Sequence, residues 1–242
     1  MKQRWKHLKT ICRHKAVVFQ ECKSCGLIWQ GLVHDLSKFS MIEFESSAKY
    51  FQGDRSPIEA EKESCGYSLA WQHHKGHNPH HWEYWIDYGE NGEIIAQKIP
   101  WKYVIEMICD WIGAGKVYSG EEWTQAEPLN YYLRVRNGRH FHPDTEKLII
   151  VLLELIRDDG LEAFHKKAKD PGYLYIDYVA FTKGGKWSIV KPFCQASDYL
   201  RYSRGAGDTY GFIPGFKDLI RAVLDLIASH LCVLSPFDSH LL

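Results

Sequence analysis

No apolar run in this chain approaches the roughly 18 residues that a bilayer-spanning helix needs. The longest, Leu148 to Ile156, is interrupted by Glu154 and suits a buried helix instead. Net charge is also missing. Lysine plus arginine and aspartate plus glutamate stand at 30 each, so bulk charge leaves no electrostatic footprint for nucleic acid or an anionic membrane. Cys22-Lys-Ser-Cys25 has the spacing of half a zinc site, but no second CxxC accompanies it, and it reads as a reduced, partly buried pair. Seven cysteines is an odd number and opposes a disulfide framework. After the basic start Met1-Lys-Gln-Arg-Trp-Lys-His7 no apolar h-region or small-residue cleavage site follows, and the expectation is a cytoplasmic protein. Arg201, Arg204 and Gly205-Ala-Gly207 lack a P-loop lysine, which leaves a solvated loop as the plainer reading. There is no internal repeat and no low-complexity tract.

What the chain has in excess is histidine. Of thirteen, five (His73, His74, His77, His80 and His81) crowd into one short stretch. A second feature is Gly31-Leu-Val-His-Asp-Leu-Ser-Lys-Phe39, which sets a histidine and an aspartate side by side in an apolar run. Such a pair is expensive to bury unless its polar groups are compensated, and a divalent metal is one compensator. His34 and Asp35 therefore read first as ligands.

Periodicity places these residues on helices. Ile11, His14, Val18 and Cys22 recur at helical spacing and predict a helix from about Arg4 to Cys22, stopped at Gly26, with His14 on its apolar stripe. His7, one heptad earlier, shares that face. A second helix from Leu27 carries Trp29, Leu32, Val33 and Leu36, with His34 and Asp35 near its C-terminal end. Ser40-Met-Ile-Glu43 has capping-box spacing and starts a third. Residues 53–65 read as a polar connection. Another helix runs from Tyr67 and ends at Gly76 and Asn78-Pro79. Asn78 then caps a new helix with Pro79 first, so that the histidines straddle a helix–helix corner. His77 at that corner faces solvent, and Trp82 and Trp85 are core. Gly89-Glu-Asn-Gly92 is a tight turn. Pro100 opens a helix over Trp101 to Val117, with Glu106 and Asp110 on one face; two carboxylates so placed repel unless a cation is shared, and Lys102 is the plain candidate. Residues 118–143 read as loop with a short element at Tyr131 to Val135. An apolar helix follows, ending near Gly160, and a short charged one covers Glu162 to Lys169. Past Pro171, alternation around Lys183-Gly-Gly-Lys186 signals a hairpin, and Phe216 to Leu231 is amphipathic. The fold class expected is mainly α: a helical bundle over residues 1–168, with a small α+β appendage over 169–242.

A lone histidine on an apolar stripe is ordinarily a hydrogen-bonded core residue. His14, then His34-Asp35, then Asp110 on separate helices form an ordered set that points to metal instead. In this order they resemble the HD-domain superfamily of metal-dependent phosphohydrolases. His34-Asp-Leu-Ser-Lys38 is similar to that superfamily's HDxxK form, and His73-His74 resembles the later HH element of its binuclear members. The glycine-tyrosine-proline signature of the cyclic-dinucleotide branch is absent. More closely, the segments around His14, Gly31 to Ser40, Ala70 to His74, Asn78 to Trp85 and Glu106 to Trp111 look like an uncharacterised domain family of bacteria and phages, over roughly residues 5 to 160.

The resemblance implies an HD-like bundle and a divalent cofactor, one or two ions of manganese, iron or zinc. His14, His34, Asp35 and Asp110 would hold one ion, and His73 or His74 with His80 or His81 a second, with Asp35 as the natural bridge. Asp35 and Lys38 are the candidate catalytic residues, Lys38 as a point charge against a phosphate oxygen. The function expected is hydrolysis of a nucleotide or other small phosphate ester by a metal-activated water. The alternative is a non-catalytic HD-like sensor or protein-interaction module. No membrane partner and no nucleic acid is indicated, and oligomeric state is left open.

Overall fold

Contacts between the first helix and the sixth advance together along both helices. His14 meets Asp110, Val18 meets Gly113, and Glu21 meets Lys116. The two helices, α1 (Lys2–Ser24) and α6 (Trp101–Ser119), therefore run side by side in the same direction. A Cβ on Gly113 would lie 2.4 Å from Val18 Cγ2, so the missing side chain is what permits this approach. One turn away on each helix, it brings His14 Nε2 within 3.0 Å of Asp110 Oδ1.

The computed structural model describes residues 2–53 and 55–170, and the fold is mainly α. After α1 come α2 (Ile28–Val33), a short 3-10 turn (Leu36–Phe39), α3 (Met41–Tyr50), α4 (Pro57–Cys65) and α5 (Leu69–His77). A 3-10 turn (Trp82–Trp85) leads into the antiparallel hairpin β1 (Ile86–Tyr88) and β2 (Ile94–Ala96), in which Ile86 pairs with Ala96 and Tyr88 with Ile94. Then follow α6, α7 (Glu127–Val135) and α8 (Pro143–Lys169), the last broken at Gly160, whose φ is 89°. Among the described residues no helix is long and apolar enough to cross a membrane.

The main core is built on α6. Ile105, Ile108 and Ile112 are fully buried against Val18 and Cys22 of α1, Tyr132 of α7, and Ile149, Leu152 and Ile156 of α8. Cys25 and Cys109 are free thiols inside that core with their sulfurs 3.8 Å apart, a reduced buried pair. A second layer, α3 with α4 and α5, packs on α1 from the side that carries His7 and His14.

Several local expectations change. Residues 57–65 are helical: Pro57 occupies the first turn, where its missing amide costs nothing, and Ala60 and Glu61 turn inward. Glu61 accepts hydrogen bonds from the Ser46 and Ser68 hydroxyls and the Leu69 amide, a use of a buried carboxylate that its polar sequence context conceals. No α-helix starts at Asn78. Its side-chain amide instead donates back to the His74 carbonyl at 2.7 Å and to Ser37 Oγ at 2.8 Å. The second helix stops at Val33, before the His-Asp pair. The hairpin and amphipathic helix expected beyond Pro171 lie outside the described residues.

Candidate metal centre

The His34-Asp35 pair sits on a bend made by the chain itself. α2 ends at Val33, His34 is extended (ψ 126°), and Asp35 takes the left-handed conformation (φ 54°, ψ 25°). Asp35 is the single non-glycine residue with positive φ among the described residues. Aspartate tolerates that region better than most residues. Lys15, buried and next to His14, holds the bend. Its ammonium donates to the Leu32 carbonyl at 2.8 Å and the His34 carbonyl at 2.6 Å, two acceptors that a helix end leaves open. Burial pulls the Lys15 pKa down to about 8 against the opposing pull of Asp35.

Around the Asp35 carboxylate the histidines form two sets. On the Oδ2 side, His34 Nε2 lies at 3.3 Å and His14 Nε2 at 3.7 Å, and Asp110 Oδ1 is 3.0 Å from His14 and 3.3 Å from His34. On the Oδ1 side, His74 Nε2 lies at 3.2 Å and His80 Nε2 at 3.5 Å, and a nitrogen of His81 completes the group. Yet Nε2 of His14, His34, His80 and His81 and both Asp35 oxygens, all buried, make no hydrogen bond. Facing ligands around a common ion with bonds of about 2.0–2.2 Å would stand roughly 3–3.5 Å apart. The donor set, neutral imidazole with carboxylate, is that of manganese, iron or zinc. Each of the two sets is suited to hold a metal.

Carboxylates behind the rings aim them. Glu106 Oε1 accepts from His34 Nδ1 at 3.1 Å and lies 3.2 Å from His80 Nδ1, so one oxygen serves a ligand of each set. Glu43 accepts from His74 Nδ1 at 2.8 Å and from His73 Nδ1 at 2.6 Å. With Nδ1–H committed to a carboxylate, Nε2 is the nitrogen left to face Asp35 and any ion beside it, the orienting arrangement common around metal-bound histidines.

Charge in the cluster is strongly coupled. Burial alone would lower the His34 pKa, but Asp35, Asp110 and Glu106 outweigh it and hold it well above 6.5. Burial would raise the Asp35 carboxyl; His34, Lys38 and His74 instead keep it well below its ordinary range. Asp110 is likewise depressed by His14 and His34 against its burial. His81 goes the other way, since burial and then His80 and His74 keep it uncharged. Lys38 Nζ lies 2.6 Å from Asp35 Oδ2, and its side chain remains 27% exposed.

The structure brings together eight of the nine residues singled out in the sequence: His14, His34, Asp35, Lys38, His74, His80, His81 and Asp110. His73 is the correction. It is on the outer side of α5, tied to Glu43 and stacked on the exposed His77 at 4.0 Å between ring centroids, because consecutive helical residues cannot face one point. Glu43, Glu106 and Lys15 escaped sequence reading. Glu43 had been spent on a capping box, whereas Ser40 Oγ accepts from the Glu43 amide and the Glu43 carboxylate turns to the histidines. For Glu106 the sequence shows the shared face with Asp110 and the need for a cation, with Lys102 the plain candidate, but not that its carboxylate stands behind His34 and His80.

All these residues fall within residues 3–155, over which the chain matches a family of unknown function, DUF5662. The chain belongs to the DUF5662 family. Neither the curated proteins nor the solved structures contain a match to it. A cavity of about 620 Å³ opens onto the cluster, reaching His14, Lys38, His74, His81 and Asp110.

Proposed function

We propose that this DUF5662 chain is an HD-like, metal-dependent phosphohydrolase that holds two divalent ions and cleaves a nucleotide or another small phosphate ester. The observation that carries this reading is the divided carboxylate of Asp35, whose two oxygens each face a separate histidine set, with Lys38 paired to Oδ2 from the cavity side. His14, His34, Asp35 and Asp110 would hold one ion and Asp35, His74, His80 and His81 the other, with Asp35 shared. When bound, the ions supply Lewis acidity that acidifies a water and offsets charge on a phosphoryl oxygen.

The chain's own groups supply binding and orientation. Lys38 reaches the cavity beside Asp35 and meets an anionic oxygen as a point charge. Lys62, Arg134 and Arg139 add positive charge elsewhere on the cavity wall, Lys62 over the Trp71 ring and the two arginines over that of Tyr131. Arg139 is held in place by the Tyr131 hydroxyl at 2.7 Å and by the Trp111 ring. A volume of about 620 Å³ with these cations on its wall fits a small anionic ester.

Elemental analysis of wild type beside His34→Ala/Asp35→Ala tests the metal, and a panel of phosphate esters with manganese, iron and zinc tests the chemistry. Two equivalents of metal and metal-dependent turnover, both lost in the variant, are expected. Bound metal with no turnover on any ester would leave the non-catalytic sensor or interaction module as the better reading.

A further inference from the structure

His7 on α1 is only 4% exposed, and both its ring nitrogens are buried without a hydrogen bond. Its neighbours are the rings of Phe44 and Phe51, with centroids 5.5 and 5.0 Å away. A phenylalanine there would pack against the same rings without two unsatisfied polar atoms, so folding gives no reason for an imidazole. The reason lies in the cavity that the residue lines. His7 lines the cavity that opens onto the metal centre, together with Thr10 and Ser47. His7 stands one heptad before His14 on the same helix, a rise of about 10 Å at ~1.5 Å per residue.

We propose that His7, with Thr10 and Ser47, forms a subsite for the uncharged, hydroxyl-bearing part of the ligand, a sugar ring whose phosphate lies at the histidine–aspartate cluster. The location of the phosphate rests on the phosphohydrolase reading; the subsite rests on His7. Burial, with a contribution from Lys38, holds the His7 pKa down at about 4, so the ring is neutral at physiological pH. A neutral imidazole has one donor and one acceptor, the complement of a hydroxyl, which is both. A second phosphate would instead want a cation at this position. Thr10 spends its proton on the Lys6 carbonyl at 3.2 Å, which leaves its oxygen free to accept.

The test compares methyl phosphate, ribose phosphate and a pyrimidine nucleoside monophosphate on the metal-loaded full chain. Affinity is read as KM where an ester is turned over and by calorimetry where it is not. Wild type should prefer ribose phosphate to methyl phosphate by about tenfold, the worth of one or two well-placed hydrogen bonds. His7→Phe should erase that preference while keeping both methyl phosphate affinity and metal content, and His7→Gln should restore part of it. Equal affinities in wild type, or a preference that survives His7→Phe, would overturn the subsite. The wild-type comparison decides even if His7→Phe fails to fold. Tighter binding of the nucleotide than of ribose phosphate would assign the sugar to a nucleotide, and the reverse to a free sugar phosphate; both support the subsite. Binding without turnover would remove the phosphohydrolase reading and keep the subsite. No affinity for any of the three would remove both.

Discussion

His34 and Asp35 are consecutive in the chain, yet His34 Nε2 and Asp35 Oδ2 face each other across 3.3 Å. The left-handed turn at Asp35 folds the second side chain back onto the first, and Lys15 pins the turn from below. Two requirements meet at Asp35, a backbone that favours a short polar side chain and a carboxylate with both oxygens available. They can be separated. Asp35→Asn keeps the conformational tolerance and removes the charge, so it should fold with wild-type circular dichroism and lose both metals by elemental analysis. Retention of a full metal complement in this variant would refute the bridging role.

Glu106 and Glu43 should differ in reach. Glu106 orients one histidine of each set, so Glu106→Gln should weaken both metals by about 10–100-fold, the usual effect of losing a carboxylate behind a metal-bound histidine. Glu43→Gln touches His74 alone among the ligands and should weaken only the second ion. Calorimetric titration of manganese into each chelator-treated variant resolves the two sites.

The pH dependence of the metal-free protein should oppose that of metal uptake. His34 and His74 are raised above 6.5, so the stability they contribute is fully present below that value and is lost as pH rises through their folded-state values. Asp35 and Asp110 are depressed below 3.8; their contribution is present above that value and fades as pH falls toward their lowered ones. Metal must displace the protons on the raised histidines, so apparent affinity should climb with pH over the range in which the metal-free form weakens. Urea unfolding of chelator-treated protein beside calorimetric metal titration at stepped pH would show the two opposite slopes.

Helix spacing should control the centre from a distance. In Gly113→Leu the new side chain meets Val18, which is fully buried, and α1 and α6 must separate. A cost of about 1–3 kcal/mol is expected for overpacking of this kind. Because His14 and Asp110 lie one turn from the clash, metal binding should fall along with the melting temperature. Gly113→Leu with native metal content would show that the two helices can part without disturbing the ligands.

The helices at Ile11 to Cys22 and Trp101 to Val117 were legible because their apolar residues repeat at a helical period, and local periodicity survives into the fold. The ordered series His14, His34-Asp35, Asp110 was legible for a related reason, since each member sits on or beside an apolar stripe that must turn inward. The helix at Pro57 was not, because its buried face presents Ala60 and Glu61 rather than large apolar groups. The helix expected after Asn78 failed because a side-chain amide can bond backward as well as forward, and Ser37 and the His74 carbonyl, brought close by tertiary packing, offered better partners.

Sequence alone determined which residue types could become ligands and which helical faces would carry them inward, because both follow from side-chain chemistry and from short-range periodicity. Tertiary structure alone decided which histidine of the His73-His74 pair meets Asp35, that Glu106 stands behind His34 and His80, and that His7 ends unpartnered in a cavity wall. The first two outcomes depend on residues 26 to 72 positions apart approaching within 3.2 Å, the reach of a hydrogen bond. Such distances are fixed by how closely α1, α5 and α6 pack, and no local pattern encodes them.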